Sequence, residues 1–75
     1  MQKSHVLINC ESGTENIVSS EITKVEEVKS VTRTSGYYNL VVALESSSEE
    51  QLREIMDNRI RHMEPIHSTL TLIHA

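Results

Sequence analysis

Tryptophan and phenylalanine are absent from this chain, and its 75 residues include one cysteine, one proline and two glycines. Without large aromatic rings, a core must come from Val, Ile, Leu and Met, with two tyrosines adding bulk. The single cysteine, Cys10, excludes an internal disulfide, and without a secretory signal it points to a reducing compartment. The longest apolar run, Leu40 to Leu44, is far short of the roughly 20 residues that span a bilayer. Val6-Leu7-Ile8 is cut by Asn9 before it could act as a signal-peptide core. A cytoplasmic location, with no membrane partner, is therefore expected. Positive charge is also scarce: 7 Lys and Arg stand against 11 Asp and Glu, a net charge of −4. The densest basic group, Arg53, Arg59 and Arg61 with His62, is diluted by Glu49, Glu50, Glu54 and Asp57. Direct nucleic-acid binding needs a basic patch that replaces counterions, so it is not expected here.

Small size makes the shortage of bulky residues matter. A chain of about this length buries only about 60% of its unfolded surface, and such domains often need a disulfide, a metal or self-association. Self-association is the route left open, which makes an oligomer the first expectation.

What the chain does contain is ordered. Ser4 to Cys10 is a β-branched, apolar strand ended by Ser12-Gly13. Ser12 to Val25 reads as a helix, with capping-box spacing between Ser12 and Glu15 and an apolar face of Ile17, Val18, Ile22 and Val25. Val28 to Thr34 is a second strand and Tyr37 to Glu45 a third. Ser48, with Gln51 three residues on, caps a second helix. Its stripe is Leu52, Ile55, Met56, Ile60 and Met63, and Pro65 stops it. His67 to His74 is the last strand.

The order β-α-β-β-α-β is doubled at an offset of 34 residues: Ile8 with Val42, Cys10 with Leu44, Val18 with Leu52, Ile22 with Met56. That doubling predicts an α+β, ferredoxin-like sandwich spanning residues 1–75 as one domain. Right-handed crossovers give a four-stranded antiparallel sheet of order 4-1-3-2, with both helices on one face. A sheet wet on its other face should alternate apolar and polar residues. Val6-Leu7-Ile8 and Leu40 to Leu44 are apolar at both parities. Something must cover the second face, and a second copy of the sheet, closing a dimeric αβ-barrel, is the economical answer.

Three groups of residues invite chemistry. The turn Thr34-Ser35-Gly36-Tyr37-Tyr38-Asn39 combines hydroxyls, an amide and two aromatic rings around a glycine. Gly36 permits positive φ, so exposed amides there can meet a small anion; the alternative is a plain hairpin turn. In the expected sheet His5 approaches His74, and Cys10 approaches His67 at the other end. Neither pair has recognised metal spacing, so copper or zinc binding requires completion across an oligomer. The alternative is surface histidines and a buried thiol. His62, with Asp57 and Glu64 near it, follows Arg61 at a helix end, where a cation offsets the helix dipole, and no nucleophile elbow, P-loop or HExxH occurs. No cofactor and no catalysis are expected, although a small dimeric αβ-barrel enzyme is a further alternative.

The runs HVLINCESG, VxxVxRTSGYYNLVV and STLTLI, covering about residues 4–73, resemble the effector-binding domain of the Lrp/AsnC transcription regulators. That module is the regulation-of-amino-acid-metabolism (RAM) domain. The resemblance implies a βαββαβ sandwich whose sheets pack face to face in dimers, which assemble further into octamers or similar rings. It implies an amino-acid-type effector bound between dimers by Thr34, Ser35, Gly36, Tyr37, Tyr38 and Asn39, with help from Thr69 and Thr71. Amides around Ser35, Gly36 and Tyr37 would meet the ligand, while Tyr38 packs. Asn39 stands where the family usually has Asp. The chain starts just before the first strand, so a stand-alone domain without a helix-turn-helix is expected, with full-length Lrp/AsnC regulators as possible partners.

Overall fold

Residues 1–74 are described by a computed structural model, and each block of the sequence becomes one element. These are β1 (Gln2–Cys10), α1 (Glu15–Thr23), β2 (Val28–Arg33), β3 (Leu40–Ser46), α2 (Glu49–Ile55) and β4 (Ile66–His74). A π-helical turn, Met56–Ile60, continues α2. The strands form one antiparallel sheet of order β2-β3-β1-β4, the expected order read from the other edge.

The two helices begin by different chemistry. Ser48 Oγ accepts from Gln51 N at 3.1 Å, and Gln51 Oε1 accepts from Ser47 N at 2.5 Å. This satisfies two amide donors near the start of α2, as the Ser48 spacing predicts. The first helix departs from expectation. Its N-cap is Thr14, without a side-chain cap bond, and Ser12 lies before it in a turn closed by Thr14 N donating to Glu11 O at 3.1 Å. Gly13 takes the third position of that turn at φ +90°, a conformation glycine adopts without steric cost. Glu15 therefore reaches back to Gly13 N, at 3.0 Å, instead of to a serine cap.

Val18, Ile22 and Val25 press α1 onto the sheet and are buried, whereas Ile17 is 63% exposed. Ile17 is about 100° around the helix from Val18, beyond the edge of a stripe only one residue wide. In α2 the predicted stripe holds: Leu52, Ile55, Met56 and Ile60 are buried, and Met63 packs against them. The helix widens as it proceeds, with Arg61 N donating to Met56 O at 2.8 Å across five residues. All four residue pairs of the internal repeat belong to the core. The third strand starts at Leu40, later than expected, because Tyr37 to Asn39 form part of the hairpin loop.

Register assigns the two faces. Val6, Ile8 and Cys10 of β1 and Leu40, Val42 and Leu44 of β3 point under the helices and are buried. The opposite face carries rows Thr32–Val41–Leu7–Leu70 and Ser30–Ala43–His5–Leu72, with no helix over them. Leu70 and Leu72 are 44% and 45% exposed on the edge strand, while Leu7, Val41 and Ala43 are half-buried. An apolar stripe thus crosses the open face. No described helix is long and apolar enough to cross a membrane.

Candidate functional site

The loop Thr34 to Asn39 stands at the end of the sheet where β1 finishes, and four hydrogen bonds anchor its stem. Thr34 N donates to Asn39 O at 2.8 Å, closing the β2–β3 hairpin, and Thr34 Oγ1 donates to Tyr38 O at 2.5 Å. Asn39 N donates to Ile8 O at 2.8 Å. Asn39 Oδ1 accepts from the backbone N of Cys10 at 2.9 Å. A fifth bond, from Asn9 Nδ2 to Tyr37 O at 2.5 Å, ties the loop to the open face of β1. Asn39 therefore works as a side-chain acceptor for the end of β1, which a carboxylate can also do.

Above this stem the loop is free. Gly36 has φ +124°, a conformation that side-chain-bearing residues rarely adopt. A Cβ built there would meet nothing within 4 Å, so the glycine serves backbone conformation and leaves open space beside it. Among the described residues, the amides of Ser35, Gly36 and Tyr37 have no protein acceptor. Tyr37 is 70% exposed and meets the half-buried Tyr38 edge to face, with ring centroids 5.0 Å apart. The loop combines free amide donors, two hydroxyl side chains and an exposed aromatic ring on a pinned base.

Thr69 and Thr71 do not join that group within one chain. Thr69 shares a row with Ile8 and Leu40, and Thr71 a row with Val6 and Val42, both on the helix face. β1 lies between β4 and β3, which separates the threonines from the base of the loop by about 10 Å, two strand spacings. Thr71 instead lines a cleft of about 280 Å³ between α2 and the edge strand, with Leu52, Arg53, Met56, Arg61 and Ile73. In the sequence Arg53 and Arg61 stand only as part of a diluted basic cluster. Their eight-residue spacing was the available sign that they share one side of the helix, since that separation is close to two turns.

The histidines divide similarly. His5 and His74 meet, with Nδ1 of the first 2.6 Å from Nε2 of the second. At the other end a bulge between Asn9 and Cys10 sets Cys10 opposite Ile66 and leaves His67 without a register partner. Cys10 is buried under the helices and His67 is exposed. Among the described residues no group of three or more His, Cys, Asp or Glu is placed to hold one metal ion.

The geometry defines a class: a ferredoxin-like α+β domain with a glycine loop on a hydrogen-bonded stem. The comparisons with known proteins place that domain in a family. The Lrp/AsnC ligand-binding domain model matches residues 4–74. The chain belongs to the Lrp/AsnC family, as its ligand-binding (RAM) domain, the regulatory effector-sensing module of that family. A search of curated proteins finds no match. Among solved structures, the hypothetical protein PHS023 from Pyrococcus horikoshii is 28% identical with a TM-score of 0.94, over 100% of this chain and 90% of that one. TTHA0845 from Thermus thermophilus is 24% identical with a TM-score of 0.95, over 100% and 94%. AsnC from E. coli is 23% identical with a TM-score of 0.91, over 97% of this chain and 50% of that one. The last two are distant enough to speak for the fold alone.

Proposed function

We propose that this domain senses an amino-acid-type effector at the loop Thr34 to Asn39 and acts in transcription regulation through its oligomeric assembly. The observation that carries this reading is the loop itself: unpartnered amides at Ser35, Gly36 and Tyr37 beside open space, on a stem held by Asn39. Free backbone N–H groups on consecutive residues suit a carboxylate, and the Tyr37 ring offers an apolar wall. On this reading Thr69 and Thr71, too far from the loop in one chain, contribute from a neighbouring subunit. The apolar stripe of Leu7, Val41, Leu70 and Leu72 supports a second copy packing sheet to sheet, and further dimers build a ring. The net charge of −4 favours action without direct DNA contact, through co-assembly with full-length relatives in the cytoplasm.

A ligand can shift an assembly only by its differential affinity for the two states. The test is native mass spectrometry and thermal denaturation against the twenty amino acids. A true effector at 100 times its Kd raises stability by about 2.7 kcal/mol, and the gain disappears in Gly36→Val. If no amino acid changes the assembly mass or the melting temperature, amino-acid sensing is wrong.

A further inference from the structure

The pair His5 and His74 lies on β1 and β4, outside the loop Thr34 to Asn39. The two residues sit on neighbouring strands and the same open face, in diagonal positions: His5 is paired with Leu72, and His74 with Lys3. Their rings stand nearly perpendicular, with centroids 4.8 Å apart, and Nδ1 of His5 lies 2.6 Å from Nε2 of His74. One nitrogen must carry the proton and the other the lone pair. Gln2 Nε2 donates to His74 O at 2.8 Å and fastens the end of β4 across to β1, so the rings are presented by a fixed backbone. His5 is half-buried and His74 exposed, which leaves the pair open to solvent.

We propose that His5 and His74 form a two-imidazole binding site for a divalent transition metal of the zinc, nickel and copper class. Imidazole nitrogen suits these ions, which bind it at about 2.0–2.1 Å. A tetrahedral ion at that distance needs its two nitrogens about 3.3 Å apart. The present 2.6 Å contact has to open by about 0.7 Å to reach that value, and His74 is exposed, so solvent and not packed protein surrounds the ring that moves. The ring that now donates moves its proton to its other nitrogen, so both contacting nitrogens present lone pairs and no proton need leave the pair. Leu72 and Ala43 flank His5 in its row, while Lys3 and Glu45 complete the row of His74. The remaining coordination positions go to water, or to the same pair of a second chain if two open faces meet. The site stands on the geometry of one chain and does not depend on the effector reading.

The experiment is titration of the purified protein with zinc chloride in a non-chelating buffer, followed calorimetrically, with copper(II) absorbance as a second readout. The wild type should take up one ion per chain, or one per two chains where a second pair completes the shell. His5→Gln and His74→Gln should each weaken uptake by at least tenfold while circular dichroism reports an unchanged fold. The double variant His62→Gln/His67→Gln should bind like the wild type. Absent uptake by the wild type overturns the proposal, as does uptake that survives His5→Gln or His74→Gln or is lost in the His62/His67 variant.

Discussion

Asn39 is the residue on which the geometry of the loop depends, and its replacement gives the sharpest test of the structure. In Asn39→Leu the side chain keeps its branched shape but loses the acceptor for Cys10 N, now bonded at 2.9 Å in a partly buried position. Cys10 as a residue is 4% exposed, so water cannot readily take the place of Asn39 Oδ1. An unsatisfied donor of this kind costs about 1–3 kcal/mol. The whole stability of a domain this size is on the order of 4–11 kcal/mol. A loss of about 2 kcal/mol lowers the melting temperature by roughly 8–16 °C. Asn39→Asp keeps an acceptor in place, and a carboxylate accepts from N–H at least as strongly. Its stability should remain within about 0.5 kcal/mol of the wild type, the range expected when no buried group is orphaned. Urea unfolding followed by circular dichroism measures both, at one fixed protein concentration because any oligomer links stability to concentration. The reasoning fails if Asn39→Leu unfolds with the wild type, or if Asn39→Asp is as weak as Asn39→Leu.

Other residues make further tests. Ser48→Ala removes the α2 cap and should cost about 1 kcal/mol, read as a shifted urea midpoint with an unchanged slope. Ile60→Ala empties a fully buried position beneath the π-helical turn and should cost about 2–5 kcal/mol by the same assay. Leu70→Asp combined with Leu72→Asp places carboxylates on the open face, and light scattering should then report a smaller assembly than the wild type's. A wild type that is already monomeric would remove the sheet-to-sheet dimer from consideration. Gly36→Val asks a β-branched residue to adopt φ +124°, so it should destabilise or remodel the loop, seen as altered Tyr37 fluorescence polarisation, even without ligand.

Strand order and core were legible because each depends on periodicity that the chain states twice. Val6, Ile8 and Cys10 alternate with Leu7 and Asn9, and the offset repeat projects the same alternation onto Leu40, Val42 and Leu44. Every one of those helix-side residues is buried. Helix starts were legible only where a side chain does the capping. Ser48 has its predicted partner, but Ser12 is drawn into a turn by Gly13, and spacing alone does not separate those outcomes. The loop was recognisable by composition, yet the role of Asn39 was not, since its partner, Cys10, is 29 residues away in sequence, at the end of the neighbouring strand. The separation of Thr69 and Thr71 from the loop follows from strand order, which sets β1 between them. The α2–β4 cleft is not legible in the sequence because it forms between a widened helix and an edge strand, and neither segment encodes it alone.

The end of β1 is where these features converge. Cys10 faces the helices and bonds to Asn39 through its backbone, while the preceding Asn9 faces the other way and holds Tyr37 O. Consecutive residues of a strand point to opposite faces, so a loop gripped by both is connected to both layers at once. Movement of Tyr37 on ligand binding would therefore be felt at Asn9, two residues along the open face from Leu7. Asn9 is paired with Ser68, which puts the next strand within the same reach. A short chain with no interior aromatic ring has little rigid mass to carry such a signal through its core. The bonded end of β1 offers a shorter route, from the free amides of the loop directly to the face proposed to meet a second copy. Asn9→Ala is the variant that separates the two functions. It leaves the Asn39 stem and the loop amides in place but should weaken the dependence of assembly on effector, so that melting still responds to ligand while the mass distribution does not. If both responses persist at wild-type strength, the coupling does not run through Asn9.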